Sequence, residues 1–393
     1  MFPGRRNVLL LAASQALMLS AIVLSMSLAA ILGATLAPDK SLATLPVAMM
    51  VIGTAIASLP AAMLMRRRGR RTGFLMGAAL GVAGSTLAAY GLWQGSFALF
   101  VLGHLMLGSY QGFANYYRFA AAEAVDASHT TRAIAWVVAG GVVAAFVGPQ
   151  LAQWGRDWLV SGPFVGSYLA QAALSVAALG LLSQVRLKPA ASVAAGTARS
   201  VRELLSQPLL LISILGAAVG YSVMIMVMTA TPLAMLGCGL PGQSVTPVIQ
   251  WHVVGMFAPS FFTGHLVKRF GAPRIMQTGF VLLLGHVTVA LSGLAFLHFA
   301  SALVLLGVGW NFAFVGGTAL LTQTYRPAEQ LKVQAINEFL VFGLVAASSL
   351  SAGWLYDRYG WSTLNLAVVP FLALALLASI GTEWKALRLR ERT

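Results

Sequence analysis

Stretches of about 20 apolar residues recur along nearly the whole chain, and they restrict the fold more than any other feature of the sequence. A helix of that length crosses the hydrocarbon core of a bilayer, which is about 30 Å thick. Only 9% of the 393 residues are charged and 59% are hydrophobic, too few charges to cover a water-soluble domain. The sequence therefore predicts an all-α membrane protein and argues against a soluble enzyme.

The apolar stretches predict twelve transmembrane helices. These cover residues 8–32, 44–65, 73–93, 96–118, 133–154, 164–183, 208–236, 246–267, 275–297, 300–322, 335–355 and 362–381. The first stretch follows a basic segment, as in a signal peptide, but it continues to about Leu36 and is too long to be a cleaved signal sequence. The long connection 184–207 divides the chain into two six-helix bundles, 1–183 and 208–393.

Basic residues lie almost entirely in alternate connections. Of the 25 Lys and Arg residues, only Lys40, Arg156 and Arg358 lie away from the termini and from the connections that follow even-numbered helices. Cytoplasmic loops carry such an excess in membrane proteins. The pattern predicts that both termini are cytoplasmic, and it accounts for the net charge of +15 without nucleic acid as a partner.

The sequence motifs favour a carrier over an enzyme. No GxxxxGK[ST] phosphate-binding segment occurs, so we expect no nucleotide as a partner, and a single cysteine excludes an intramolecular disulfide or a CxxC site. Segment 60–71, after the second span, matches segment 259–271, after the eighth. Internal repeats of this kind are typical of secondary transporters. We expect no prosthetic group.

Two pairs of soft metal ligands lie on consecutive predicted spans. Met224 and Met228 share a face of the seventh helix, and His252 and Met256 share a face of the eighth. At 1.5 Å per residue, both pairs lie roughly 9–18 Å below the outer surface. Thioether and imidazole groups are suitable ligands for Cu(I), although methionine is also an ordinary packing residue. The residues alone leave both interpretations open.

A few other residues are candidates for a role in transport. Glu338 is the acidic residue well inside a span, so it can couple transport to a proton gradient, or it can pair with Arg118. His104 and Arg118 are further candidates for proton coupling. Cys238, at the outer end of the seventh helix, is either a metal entry ligand or an incidental cysteine.

The connection after the second span resembles the loop motif of the major facilitator superfamily, in which a glycine and an acidic residue precede RxGRR. Ala62 and Arg66 stand at the glycine and acidic positions. The basic part is kept as Gly69, Arg70 and Arg71. Segment 140–149 is similar to a glycine and proline motif of the same superfamily. The resemblance implies the major facilitator fold and alternating access between two six-helix bundles.

The methionine and histidine pairs resemble the MxxxM and HxxxM motifs of the CcoA-type bacterial copper importers. The resemblance implies that Met224, Met228, His252 and Met256 bind copper as the transported substrate. It also implies a carrier of the bacterial inner membrane that imports copper into the cytoplasm for assembly of cbb3-type cytochrome c oxidase. We expect the carrier to be a monomer in the lipid bilayer.

Three alternatives stay open. The first is import of riboflavin or another small organic solute, because relatives of the copper importers take up flavin and aromatic side chains can stack on a planar ring. The aromatic candidates are Tyr221, Trp251, Trp310 and Phe312. The second is drug efflux, and the third is a membrane assembly factor that binds copper without moving it.

Overall fold

The structure is a computed structural model that describes residues 4–39, 42, 45–159, 162–187 and 199–390. Within these residues all the regular elements are helices, and ten segments are long and apolar enough to cross a membrane. This architecture confirms the predicted all-α membrane fold. The predicted twelve spans follow from the ten segments because the broken eighth span is not among them and the kinked segment Pro327–Trp384 contains both the eleventh and the twelfth.

The first six predicted spans correspond to α1 through α8. These are α1 (Arg5–Leu36), α2 (Leu45–Arg68), α3 (Arg70–Trp93), α4 (Phe97–Ala114), α5 (Tyr117–Glu123), α6 (Thr130–Ala139), α7 (Gly141–Trp154) and α8 (Val165–Leu182). Two of the spans are interrupted. The fourth breaks between α4 and α5, and the fifth breaks at Gly140, between α6 and α7.

The rest of the chain comprises α9 through α16, of which the short α9 lies in the connection and α10 through α16 form the remaining spans. These are α9 (Val201–Leu205), α10 (Pro208–Gly237), α11 (Val245–Phe257), α12 (Ser260–Phe270), α13 (Ala272–Leu291), α14 (Phe296–Leu321), α15 (Gln330–Ala367) and α16 (Val369–Arg390). The eighth span was predicted as one helix, but it breaks at Pro259 because proline lacks an N–H donor and its ring clashes with the preceding turn. Gly360, with a φ of 74°, kinks α15 between the eleventh and twelfth spans.

The chain consists of two compact units. The first comprises Met1–Ser192 with Gln334–Ala346, and the second comprises Val193–Val333 with Ala347–Thr393. The division into 1–183, 184–207 and 208–393 stays a prediction, and residues 188–198 of its connection lie outside the described part of the chain.

Two glycines mark the matching connections of the internal repeat. Gly69 precedes α3 with φ 86° and ψ 159°, and Gly271 precedes α13 with φ 90° and ψ 149°. L-amino acids with a side chain rarely adopt this conformation, so glycine is required at both positions. The likeness of 60–71 to 259–271 therefore extends to the backbone conformation at the start of the following helix.

In the second unit, α14 is the most enclosed helix. Every residue from Gly309 to Leu321 is buried, and α10, α11 and α13 each pack along α14. Glycines allow the close approach, because a Cβ on Gly307 would meet the His252 carbonyl oxygen at 2.5 Å and one on Gly279 would meet the Ala313 nitrogen at 2.5 Å. Residues of α14 therefore contact at least these three helices.

Close packing in the first unit depends on a glycine in α4. A Cβ on Gly108 would lie 1.8 Å from the Met50 carbonyl oxygen of α2, while Thr54 of α2 donates a hydrogen bond of 3.0 Å to the Gly108 carbonyl. Small residues let transmembrane helices approach in this way. The two backbones would have to separate to admit even one methyl group.

We expect Gly108→Ala to destabilise the protein by about 1–3 kcal/mol, because the methyl group overpacks the contact between α2 and α4. Gly180→Ala is the matched control, since a Cβ on Gly180 of α8 meets no atom within 4 Å. That control should be neutral or slightly stabilising. Thermal unfolding of the two purified variants in detergent measures the difference, and equal melting temperatures would contradict the packing argument.

Candidate functional site

Four aromatic rings from three helices meet in the second unit. Trp310 and Phe314 of α14 stack at 4.9 Å between ring centroids, and Tyr221 of α10 stacks on Phe314 at 5.6 Å. Phe257, the last residue of α11, contacts Trp310 edge to face at 5.5 Å. We call these four residues the aromatic cluster. Trp310, Phe257 and Phe314 are buried, and Tyr221 is half-buried.

The aromatic cluster lies near the middle of the membrane. Trp310 is about 21 Å from the start of α14 and about 17 Å from its end, and Tyr221 is similarly central in α10. Phe257 ends α11 at the break that precedes Pro259. Secondary transporters bind their substrates near the midplane, where helices are often discontinuous. The depth and the helix break make the aromatic cluster a candidate substrate site.

A hydrogen-bond network holds this break against α14. Asn311 donates hydrogen bonds from Nδ2 to the Met256 carbonyl at 2.6 Å and to Ser260 Oγ at 2.5 Å. Its Oδ1 accepts a hydrogen bond of 2.8 Å from Thr263 Oγ1. The network satisfies the side-chain amide of Asn311 and connects α14 to α11 and α12, so this polar residue has a structural role.

Other polar atoms on the same helices are buried without a hydrogen-bond partner in the described part of the chain. They include Ser222 Oγ of α10, His252 Nε2 of α11, and Trp310 Nε1 and Thr318 Oγ1 of α14. Buried polar groups are nearly always hydrogen-bonded in proteins, because an unsatisfied group loses its hydration without compensation. These atoms are therefore candidates for contacts with a ligand.

The four predicted copper ligands lie in the second unit on two helices. Met224 is buried and Met228 half-buried on α10, and His252 and Met256 are buried on α11. Both helices pack along α14, and they contact each other only slightly. His252 Nδ1 lies 2.7 Å from the Leu303 carbonyl oxygen. Convergence of the four side chains on one metal ion stays a prediction.

Other metal-ligand chemistry is sparse. Within the described residues, no three His, Cys, Asp or Glu side chains come close enough together to hold a metal ion. Cys238, the predicted entry ligand, is a free and exposed cysteine that caps the C-terminus of α10. A copper site would therefore depend on the methionine sulfurs.

Glu338 and Arg118 form a buried ion pair in the first unit. Arg118 Nη2 of α5 lies 2.5 Å from Glu338 Oε1, and Asn337 Nδ2 donates a second hydrogen bond of 2.8 Å to the same oxygen. Glu338 is fully buried and Arg118 is 5% exposed. Pairing was one of the two expectations for Glu338. Proton coupling by either residue stays a prediction.

His104 has a partner at each ring nitrogen. Nδ1 lies 2.8 Å from the Phe100 carbonyl oxygen, and Nε2 lies 3.1 Å from the hydroxyl of Tyr168 on α8. Its ring also contacts those of Phe100 and Tyr168 edge to face. The Tyr168 contact joins α4 to α8, and a role of His104 in proton coupling stays a prediction.

Arg70 of the loop motif pairs with an acidic residue outside the motif. Arg70 is buried and pairs with Glu123 of α5, and its Nη2 also donates a hydrogen bond of 2.8 Å to Gln334. Gly69 supplies the left-handed start of α3, and Arg71 is exposed. The motif lacks an acidic residue at position 66, and Glu123 provides a carboxylate for Arg70.

Two further polar groupings were not predicted from the sequence. His286 of α13 lies 2.8 Å from the Ala302 carbonyl oxygen through Nδ1 and 3.0 Å from Asn365 Oδ1 through Nε2. Arg199 pairs with Glu329 at 2.6 Å beside α9. Both pairs join residues far apart in the sequence, so no local motif could have indicated them. The presence of His286 inside a predicted span was the only signal.

The chain is similar to known transport proteins over most of its length. The chain is 42% identical over 380 residues to the riboflavin transporter RfnT of Brucella anthropi, covering 96% of each chain. It is 29% identical over 360 residues to the uncharacterized MFS-type transporter YdeG of Bacillus subtilis, covering 86% of this chain and 80% of that protein. No family model matches the chain.

Solved structures show the same fold. The fucose:proton symporter FucP of Escherichia coli superposes with a TM-score of 0.73 over 95% of this chain and 97% of that chain, at 14% sequence identity. The apolar helices, together with these relatives, define a multi-pass membrane transporter. The chain belongs to the major facilitator superfamily, and it is a secondary transporter of that type.

Proposed function

We propose that this protein transports riboflavin across the membrane. The observation that carries the proposal is the 42% identity to a riboflavin transporter over 96% of both chains. Riboflavin import was the first alternative to copper import in the sequence analysis, and the similarity favours it over copper. The proposal extends to uptake into the cytoplasm through the bacterial inner membrane, with both termini cytoplasmic.

The aromatic cluster supports this substrate class. The isoalloxazine ring of riboflavin is planar and uncharged, and aromatic side chains bind such rings by stacked or edge-to-face contacts. Of the four aromatic candidates named from the sequence, Tyr221 and Trp310 belong to the cluster, whereas Trp251 is 57% exposed on α11. Phe257 and Phe314 complete the cluster. An uncharged aromatic site suits a neutral solute.

The ion pair of Arg118 and Glu338 is our proposed site of proton coupling. A carboxylate buried within a membrane span is costly and is commonly part of an ion or proton pathway. The pair lies in the first unit, whereas the aromatic cluster lies in the second. Coupling would therefore involve residues separate from those proposed to bind the ring.

Copper import is a second candidate, and one observation favours it. His252 Nδ1 is held by a backbone carbonyl while Nε2 is unpartnered among the described residues, the arrangement in which a histidine ligates a metal. Met224 and Met256 are buried, as a soft site within the membrane would require. The similarity to a riboflavin transporter makes flavin the first proposal. No specific observation favours drug efflux or an assembly factor.

Expression of this protein in a bacterial strain that cannot synthesise riboflavin should restore growth at low external riboflavin and give saturable uptake of radiolabelled riboflavin. The physical reason is that a carrier site saturates, whereas passive permeation does not. Copper-64 accumulation, measured in the same cells, distinguishes copper import from riboflavin import. Vector-only cells are the control. Copper uptake that requires Met224 and His252, without any flavin uptake, would contradict the proposal.

A further inference from the structure

Trp310 is the most enclosed member of the aromatic cluster, and its indole N–H has no partner among the described residues. The residue is 2% exposed, with Phe314 stacked on its ring and Phe257 at its edge. An indole nitrogen can only donate a hydrogen bond, and buried tryptophans usually find an acceptor. Trp310 therefore offers one donor to a group that the described chain does not supply.

His252 offers an acceptor on the same side of α14. Its Nδ1 carries the proton, because the Leu303 carbonyl oxygen at 2.7 Å can only accept. In a neutral imidazole Nε2 is then an acceptor, and it has no partner among the described residues. Leu303 and Trp310 are two helical turns apart, about 10 Å along one face of α14.

A second tryptophan and a second histidine of the same unit, Trp361 and His286, have hydrogen-bond partners. Trp361 donates its indole N–H to the Ala290 carbonyl at 3.2 Å. His286 has partners at both ring nitrogens. Asn311, next to Trp310 in the sequence, makes three hydrogen bonds. Trp310 Nε1 and His252 Nε2 are therefore among the buried polar atoms of this unit that are available to a ligand.

We propose that Trp310 and His252 recognise the two chemically different ends of a ribityl flavin, an inference that rests on the proposed function. Trp310 donates its indole N–H to a carbonyl oxygen or ring nitrogen of the isoalloxazine, which carries acceptors at its edge. His252 accepts a hydrogen bond from a hydroxyl of the ribityl chain. His252 contacts the Leu303 carbonyl, seven residues before Trp310 on α14, so we assign the two side chains to different parts of an elongated ligand.

Equilibrium binding to the purified full-length protein tests this assignment with two ligands. Riboflavin and lumiflavin share the isoalloxazine ring, and a methyl group replaces the ribityl chain in lumiflavin. Trp310→Phe keeps an aromatic ring and removes the N–H, so the Kd should rise roughly tenfold for both ligands. His252→Leu should raise the Kd for riboflavin roughly tenfold and leave that for lumiflavin unchanged.

Trp361→Phe and His286→Leu are the matched controls, because they remove satisfied groups of the same types from the same unit. They should leave both Kd values unchanged, and melting temperatures of all variants confirm folding. Two results would overturn the assignment. One is a wild-type Kd in Trp310→Phe, and the other is an equal rise of the Kd for riboflavin and lumiflavin in His252→Leu. If the wild-type protein neither binds nor transports riboflavin, the proposed function is wrong. If the wild type binds riboflavin and Trp310→Phe and His252→Leu bind it equally well, only the assignment of these two residues is wrong.

Discussion

Glu338→Ala is expected to destabilise the protein by about 3–5 kcal/mol, because it leaves the buried Arg118 guanidinium without its carboxylate. Glu338 is fully buried, Arg118 is 5% exposed, and the two side chains meet at 2.5 Å. Removing one partner of such a pair is more harmful than removing both, since the remaining charge stays desolvated. Thermal and denaturant unfolding of the purified protein in detergent measure the loss.

The ion pair of Arg274 and Glu383 is a matched control for this prediction. Its side chains are 60% and 25% exposed, with the closest atoms 3.2 Å apart. Exposed pairs contribute little, so Glu383→Ala should change the free energy of unfolding by less than about 1 kcal/mol. The double variant with Arg118→Leu and Glu338→Leu should recover much of the stability that Glu338→Ala loses. Equal stability of Glu338→Ala and the wild type would show that the pair is not formed.

Glu329→Gln is expected to increase tryptic cleavage after Arg199 and Arg202 by about tenfold or more, because one carboxylate anchors this segment. Glu329 accepts hydrogen bonds from the Arg199 side chain at 2.6 and 2.8 Å and from the Arg199 backbone N–H at 3.0 Å. Lys332 Nζ donates a further bond of 2.8 Å to the Arg199 carbonyl. Neutralising Glu329 weakens the charge-assisted bonds together, so the segment opens more often.

Glu203→Gln provides the control for cleavage. Glu203 caps the start of α9 by accepting a hydrogen bond of 2.6 Å from the Ser200 N–H, and this contact lowers the pKa of its carboxyl group. Glutamine can make the same capping contact, so the cleavage rate should change little. Mass spectrometry of the fragments at successive times identifies the sites. If Glu329→Gln is cleaved at the wild-type rate, the hydrogen bonds between Glu329 and Arg199 do not limit the opening of this segment.

Several parts of the fold could be predicted because they depend on local composition. An apolar stretch of sufficient length predicts a helix, and the structure has helical residues at each of the predicted spans. The breaks were harder to predict. Pro259 ends a helix through its own chemistry, but Gly140 interrupts the fifth span where α6 and α7 approach α1, with its Cβ position 2.5 Å from the Ala12 carbonyl. That approach depends on another helix.

The candidate site was predicted only in part, because side-chain contacts depend on helix rotation and pairing. Tyr221 and Trp310 were named as aromatic candidates, but Phe257 and Phe314 joined the cluster only through the packing of α10 and α11 on α14. The copper motif was read from spacing within two consecutive helices. Consecutive helices need not be neighbours, and α10 and α11 each pack mainly along α14.

The sequence by itself determined that this chain crosses a membrane repeatedly, because the hydrophobic effect acts on each apolar stretch separately and the bilayer sets the helix length. Only the tertiary structure decided which buried polar groups are satisfied. It paired Glu338 with Arg118, surrounded Asn311 with three partners, and left Trp310 Nε1 unpartnered among the described residues. Hydrogen bonds are short and directional, so they depend on how helices distant in the sequence are packed and rotated.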